Sequence, residues 1–177
     1  MKLKAGICAG GIAIASVLVG VYQVWPHNKN SDWQLAGSIA PENLMERLAE
    51  ENINSTFEVQ TDQMKVLKVS LLNQTELLYL IDSRMAGSDT SREPLCGAFG
   101  CAFFGYVPTE EGYQNVLSLY LDTNLPPEVP LIEVSEALKN GMPELTVHQL
   151  EGSQLLKMKL VLNNERYEVV EIQYLPE

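Results

Sequence analysis

The chain has 177 residues, with 12 basic against 23 acidic side chains and a net charge of −11. A surface this acidic repels phosphate backbones and anionic headgroups, which excludes nucleic acid as the expected partner. Its ordinary use is solubility; the alternative is an acidic face that meets a basic partner or cations.

Residues Ala5 to Trp25 carry no charge and are interrupted only by Ser16 and Gln23. At about 1.5 Å per helical residue such a run spans about 31 Å, enough for one bilayer crossing. Lys2 and Lys4 stand before it, Tyr22 and Trp25 suit the far headgroup layer, and Pro26 is a natural helix stop. The expectation is a signal-anchor over residues 1–25, with the N-terminus cytoplasmic and the remainder outside the cytoplasm. The competing reading is secretion after cleavage at Ala13-Ile14-Ala15, which would leave the apolar Ser16–Trp25 stretch at the new terminus. Lipidation at Cys8 is disfavoured because Ile7 stands where a small residue is needed. Beyond the anchor, ten basic and 23 acidic residues give −13.

Residues 26–38 are rich in polar and small side chains and read as a tether, with a single folded domain over 39–177. Pro41, the early acids Glu42 and Glu46, and Leu44, Met45 and Leu48 on one face predict a helix over 41–51. From Thr56 the period becomes two: Phe57, Val59 and Thr61 alternate, and so do Leu67, Val69 and Leu71. The apolar run 77–81 and, apart from Gly105, the run 102–107 predict central strands covered on both faces. Leu117, Leu119 and Leu121 predict another strand with one polar side. After Pro126-Pro127 and Pro130, a short helix is expected around 134–140, ending at a Gly141 C-cap. Residues 144–150 resume extension, and 156–162 with 167–174 form a hairpin about Asn163-Asn164. The predicted fold is α+β: one largely antiparallel, curled sheet with one or two short helices, behind a transmembrane helix.

The segment from Leu95 to Tyr106 holds the most distinctive local chemistry. Extended chain would put the Cα atoms of Cys96 and Cys101 about 16 Å apart, whereas a disulfide needs about 4.4–6.8 Å. The chain must therefore reverse, and Gly97 and Gly100 permit the positive φ a tight reversal can require. A structural disulfide is the leading reading, since Cys8 lies in the apolar run and leaves a matched pair. A redox-active pair is the second reading, although the spacing is not that of Cys-x-x-Cys. Half of a metal site, completed by Asp89, Glu110, Glu111 or His148, is the third.

Cys96-Gly97-x-x-Gly100-Cys101, its apolar strand, Tyr113-x-x-Val116-Leu117 and Asn124-Leu125-Pro126-Pro127 together resemble exported or membrane-anchored bacterial proteins of uncharacterised function, cyanobacterial ones included. The resemblance covers about a third of the chain. It implies an extracytoplasmic domain with a disulfide-closed loop, and it brings no activity or catalytic residue with it.

Catalytic motifs are missing: there is no Gly-x-Ser-x-Gly, His-Glu-x-x-His, phosphate loop or dinucleotide glycine motif. His27 falls in the tether and His148 in a strand pattern. Asp89-Thr90-Ser91 and Glu110-Glu111-Gly112 both read as surface turns. Asn54-Ser55-Thr56 and Asn73-Gln74-Thr75 match the glycosylation triplet, which matters only in a eukaryotic source. Phe99, Phe103, Phe104, Tyr106 and Tyr113 could border a binding groove beside the cysteine loop, though core filling is the ordinary use of such residues. No cofactor or metal is expected. The functional expectation is a membrane-tethered extracytoplasmic binding or accessory module without catalytic activity, a subunit or stabiliser of a membrane assembly. The alternatives are a thiol-redox factor or enzyme using Cys96 and Cys101, and a small-ligand-binding domain with its pocket under the sheet.

Overall fold

A computed structural model of the chain describes residues 32–53, 59–87 and 93–176. The expected anchor, the start of the Thr56 strand and the Asp89-Thr90-Ser91 turn lie outside these residues. Among the described residues no helix is long and apolar enough to cross a membrane.

Two helices come early, α1 (Ala36–Ile39) and α2 (Glu42–Asn52). Pro41 supplies the extended residue before α2, and Glu42 lies in its first turn, where the helix dipole favours an acid. Leu44, Met45 and Leu48 form the buried stripe that the periodicity predicts. Ordered structure begins before Ile39, a correction to the tether boundary: β1 (Gln34–Leu35) pairs with β2 (Lys65–Val69), and Ala36 is buried. Thr61, expected in a strand, sits in a 3₁₀ turn over Thr61–Gln63.

The strands form two antiparallel sheets. In the first, β1, β2, β3 (Leu78–Asp82) and β5 (Gly100–Thr109) lie side by side. β6 (Gly112–Leu121) pairs along the far side of β5, while the two-residue β4 (Cys96–Gly97) pairs with the start of β5. The second sheet is a meander of β7 (Ile132–Lys139), β8 (Met142–Glu151), β9 (Gln154–Asn163) and β10 (Arg166–Leu175). The expectation of one curled sheet is therefore corrected to two packed sheets. Alternation reports which strands are half-buried, not which sheet each joins. The proline-rich stretch after Leu121 carries the chain from one sheet to the other.

The expected helix at 134–140 is also corrected: these residues lie in β7 and its turn. Asn140 and Gly141 have φ of 54° and 80°, the two positive angles of a tight hairpin turn. A register irregularity between Val134 and Leu138 interrupts the alternation that would mark a strand. The β9–β10 hairpin forms as predicted, with Asn164 at φ 55°.

Two apolar layers result. Between the sheets lie Leu80, Phe103, Leu117, Leu145, Val147 and Leu160, among others. On the other face of the first sheet, α1 and α2 cover Val66, Tyr79, Ile81, Ala102, Phe104 and Tyr106. At about 1.5–3 kcal/mol for each large side chain buried, these layers supply the main stabilisation. Strand β5 feeds both, sending Phe103 and Val107 to one layer and Phe104 and Tyr106 to the other.

Candidate functional site

The hairpin of β4 and β5 closes as the cysteine spacing predicts. Cys96 and Cys101 are directly cross-paired, their Cα atoms are 4.0 Å apart, and they form a disulfide. Of the two turn glycines, only Gly100 has positive φ, at 105°. A side chain there would run into the Leu121 carbonyl of β6, so this glycine meets both a conformational and a steric demand. Gly97 has no such constraint. Cys101 is buried at the end of the inter-sheet layer, and Cys96 is half-buried against it.

A buried acid stands beside the disulfide. Glu93, only 5% exposed, places Oε2 2.9 Å from Cys96 Sγ and 3.9 Å from Cys101 Sγ, while Oε1 accepts the Met85 backbone N–H at 3.2 Å. Nearby, Asp82 at the end of β3 is buried and accepts from Arg84 through a forked contact, Nε to both carboxylate oxygens at 2.9 and 3.0 Å and Nη2 at 2.6 Å. The Arg84 guanidinium also lies 5.6 Å from the Phe103 ring centroid. Its hydrogen bonds to Asp82 raise the Arg84 pKa above its ordinary value; burial opposes this, and the charges of Asp82 and Glu93 add to it. These groups make one polar cluster at the end of an otherwise apolar layer. Beside the disulfide, a cavity of about 450 Å³ is lined by Cys96, Gly97, Ala98, Cys101, Asp122 and Asn124 among others.

Sequence reasoning names the cysteines and misses Glu93, Asp82 and Arg84. Glu93 stands in a polar stretch just before Pro94, where nothing local marks an acid for burial. The available signal is its spacing, three residues before Cys96, which lets a turn bring the carboxylate back to the sulfur.

The aromatic set does not assemble into a groove. Phe103 belongs to the inter-sheet layer, and Phe104 and Tyr106 belong to the helix-covered layer. Tyr113 meets Tyr79 edge-on at 5.9 Å, so four of the five pack against other side chains. Phe99 alone, 84% exposed, projects from the cysteine hairpin tip. Tyr106 donates to Glu51 Oε2 at 2.9 Å, and burial pushes its hydroxyl pKa up to about 12. His148 is buried with Nδ1 2.7 Å from the Pro130 carbonyl, a bond that ties β8 to the chain entering β7. Asp89 lies outside the described residues, and none of Glu110, Glu111 or His148 joins the one grouping of metal-ligand side-chain types found among the described residues, Glu93 with the two disulfide-bonded cysteines. Glu110 and Glu111 occupy the β5–β6 hairpin tip, as expected of a surface turn, and line an open, polar cavity of about 860 Å³ beside α2.

A second surface is apolar. Along β10, Val169, Ile172 and Tyr174 pair with Leu160, Met158 and Leu156 of β9 and therefore share the inner face of their sheet. They are nevertheless 44%, 57% and 55% exposed. The first sheet covers β10 at its start, where Tyr167 is buried in the inter-sheet layer, but leaves these three side chains open, and β10 is an edge strand of its sheet among the described residues.

Comparison with protein-family models, with curated proteins and with solved structures finds no match to this chain.

Proposed function

We propose that the chain is a membrane-tethered extracytoplasmic accessory module that takes up an extended segment of a partner protein along β10. The observation that carries the reading is the open inner face of β10 beyond Tyr167, with Val169, Ile172 and Tyr174 exposed on an edge strand. An added strand would satisfy the open backbone edge and bury these side chains, the β-augmentation mode of recognition. The chemistry of the occupant follows from charge. Glu168 and Glu171 line the same strand, Glu151 accepts from the Tyr174 hydroxyl, and the chain carries −11. A second acidic copy is disfavoured by repulsion, and an apolar segment flanked by Lys or Arg is favoured. The uncharged run Ala5 to Trp25 and a disulfide suited to an oxidising compartment support the tethered, extracytoplasmic placement.

A photo-crosslinking residue at position 172 of the full chain, in its native membranes, tests the reading. The expected product is one hetero-adduct, with the crosslink mapping to an apolar segment flanked by basic residues. No adduct, or an adduct of twice the chain's own mass, would overturn it.

A further inference from the structure

We propose that Cys96, Cys101 and Glu93 form a thiol–disulfide exchange centre for a cysteine-bearing partner chain, with Cys96 the exchanging sulfur, Cys101 the resolving sulfur and Glu93 the proton carrier. Three observations carry this, none of them used for the β10 surface.

The first is the buried carboxylate. A disulfide sulfur has no proton to give, so the 2.9 Å approach of Oε2 to Cys96 Sγ becomes a hydrogen bond only when the pair is reduced. A carboxylate within hydrogen-bond reach of a sulfur that becomes a thiol on reduction stands where it can take and return that proton. Among the described residues, charged groups near it include Arg84, which pairs with Asp82, and Asp122, which lines the adjoining cavity.

The second is the asymmetry of access. Cys101 is 3% exposed while Cys96 is half-buried, and both border the cavity of about 450 Å³, so an incoming sulfur meets Cys96 first. The exposed Phe99 ring beside it offers an apolar landing for a peptide. The third is that the fold does not rest on the bond. A ring this short adds little loop-closure stabilisation beside the two apolar layers, and the two cysteines are directly cross-paired on adjacent strands. Ring closure is then intramolecular and favoured by proximity.

In the oxidising direction, the Cys96 thiol gives its proton to Glu93 Oε2. The thiolate attacks a partner disulfide R–S–S–R′, forming Cys96–S–S–R and expelling R′–S⁻, which takes the proton from Glu93. Cys101, its proton passing to Glu93, then attacks Cys96 Sγ, forming the Cys96–Cys101 bond and expelling R–S⁻, which is protonated in turn. Two electrons pass from the protein dithiol to the partner disulfide, and both protons leave on R′–SH and R–SH.

The test uses the full chain in detergent, reduced and then mixed with oxidised glutathione or with a disulfide-bridged extended peptide, with thiols counted by mass after alkylation. The expected result is reversible two-electron exchange with the near-ultraviolet circular dichroism retained, faster with the peptide than with glutathione. A Cys101→Ser variant traps the partner on Cys96. Glu93→Gln slows oxidation by about tenfold or more and flattens the pH–rate profile, and Glu93→Asp restores part of both. A pair that resists excess dithiothreitol while folded, no mixed disulfide in Cys101→Ser, or glutathione outrunning the peptide would overturn the proposal. So would a folded Glu93→Gln variant with the wild-type rate and profile. Should Glu93→Gln fail to fold, the wild-type exchange and the Cys101→Ser trap still decide.

Discussion

The cysteine hairpin and the β9–β10 hairpin are both antiparallel reversals, built in opposite ways. The first has only two residues in β4, closes on a covalent bond and gathers Glu93, Arg84 and Asp82 beside it. The second runs ten residues on each side, carries no covalent link and leaves Val169, Ile172 and Tyr174 open to solvent. Length lets backbone pairing hold β10 in place beyond Tyr167 without cover. A short hairpin lacks that reserve and draws on a disulfide and buried polar groups instead. The region with little pairing is therefore the one rich in chemistry, and the well-paired region has a surface to spare.

The sharpest way to break this contrast is at Gly100. Gly100→Val adds a side chain at positive φ directly against the Leu121 carbonyl, and should cost about 3 kcal/mol or more in urea unfolding. Next is Asp82→Ala, which leaves Arg84 with a buried approach and no acid on β3. Because Arg84 keeps some solvent access, the loss should be about 2 kcal/mol, below that for a fully buried pair. Removing the covalent link alone, with Cys96→Ser and Cys101→Ser together, should cost up to about 2 kcal/mol and leave far-ultraviolet circular dichroism unchanged. A larger loss would mean that the first hairpin depends on its bond more than its neighbours suggest.

A smaller effect is expected from pH. Tyr106 is held at about 12 by burial, above the ordinary value near 10, so the unfolded chain ionises first as pH rises. Its contribution is intact below pH 10 and falls away between about 10 and 12, and Tyr106→Phe should flatten that part of a stability–pH curve. The smallest stability change belongs to Ile172→Glu on β10, expected within about 0.5 kcal/mol because the site is already exposed. The same substitution should abolish the hetero-adduct at a neighbouring crosslinking position, which sharpens the division between a hairpin that holds and a hairpin that receives.

What the sequence reveals follows the range of the forces involved. The β9–β10 hairpin is legible because alternation and turn residues are local, and so are the α2 stripe and the cysteine reversal. Strand β7 is misread because Val134, Ala137 and Leu138 fall at helical spacing where its register is irregular. The Asn140-Gly141 pair is the better signal, since both residues turn with positive φ. The division into two sheets depends on contacts between strands far apart in the chain. Pro126, Pro127 and Pro130 mark the crossover without saying where it leads. At the site, the cysteines announce themselves by spacing, whereas the burial of Glu93 and Asp82 is produced only when β3, β4 and β5 come together.

Strand β5 contributes side chains to both apolar layers, and this bears on how the molecule comes apart. Neither layer can be lost while the other keeps its full lining, because each would be stripped of alternate residues of the same strand. Global unfolding should therefore be cooperative, with the amides of Ala102 to Val107 exchanging with deuterium at one shared, slowest rate. The ends of β10 should exchange far sooner, opening and closing many times within each lifetime of the central strand.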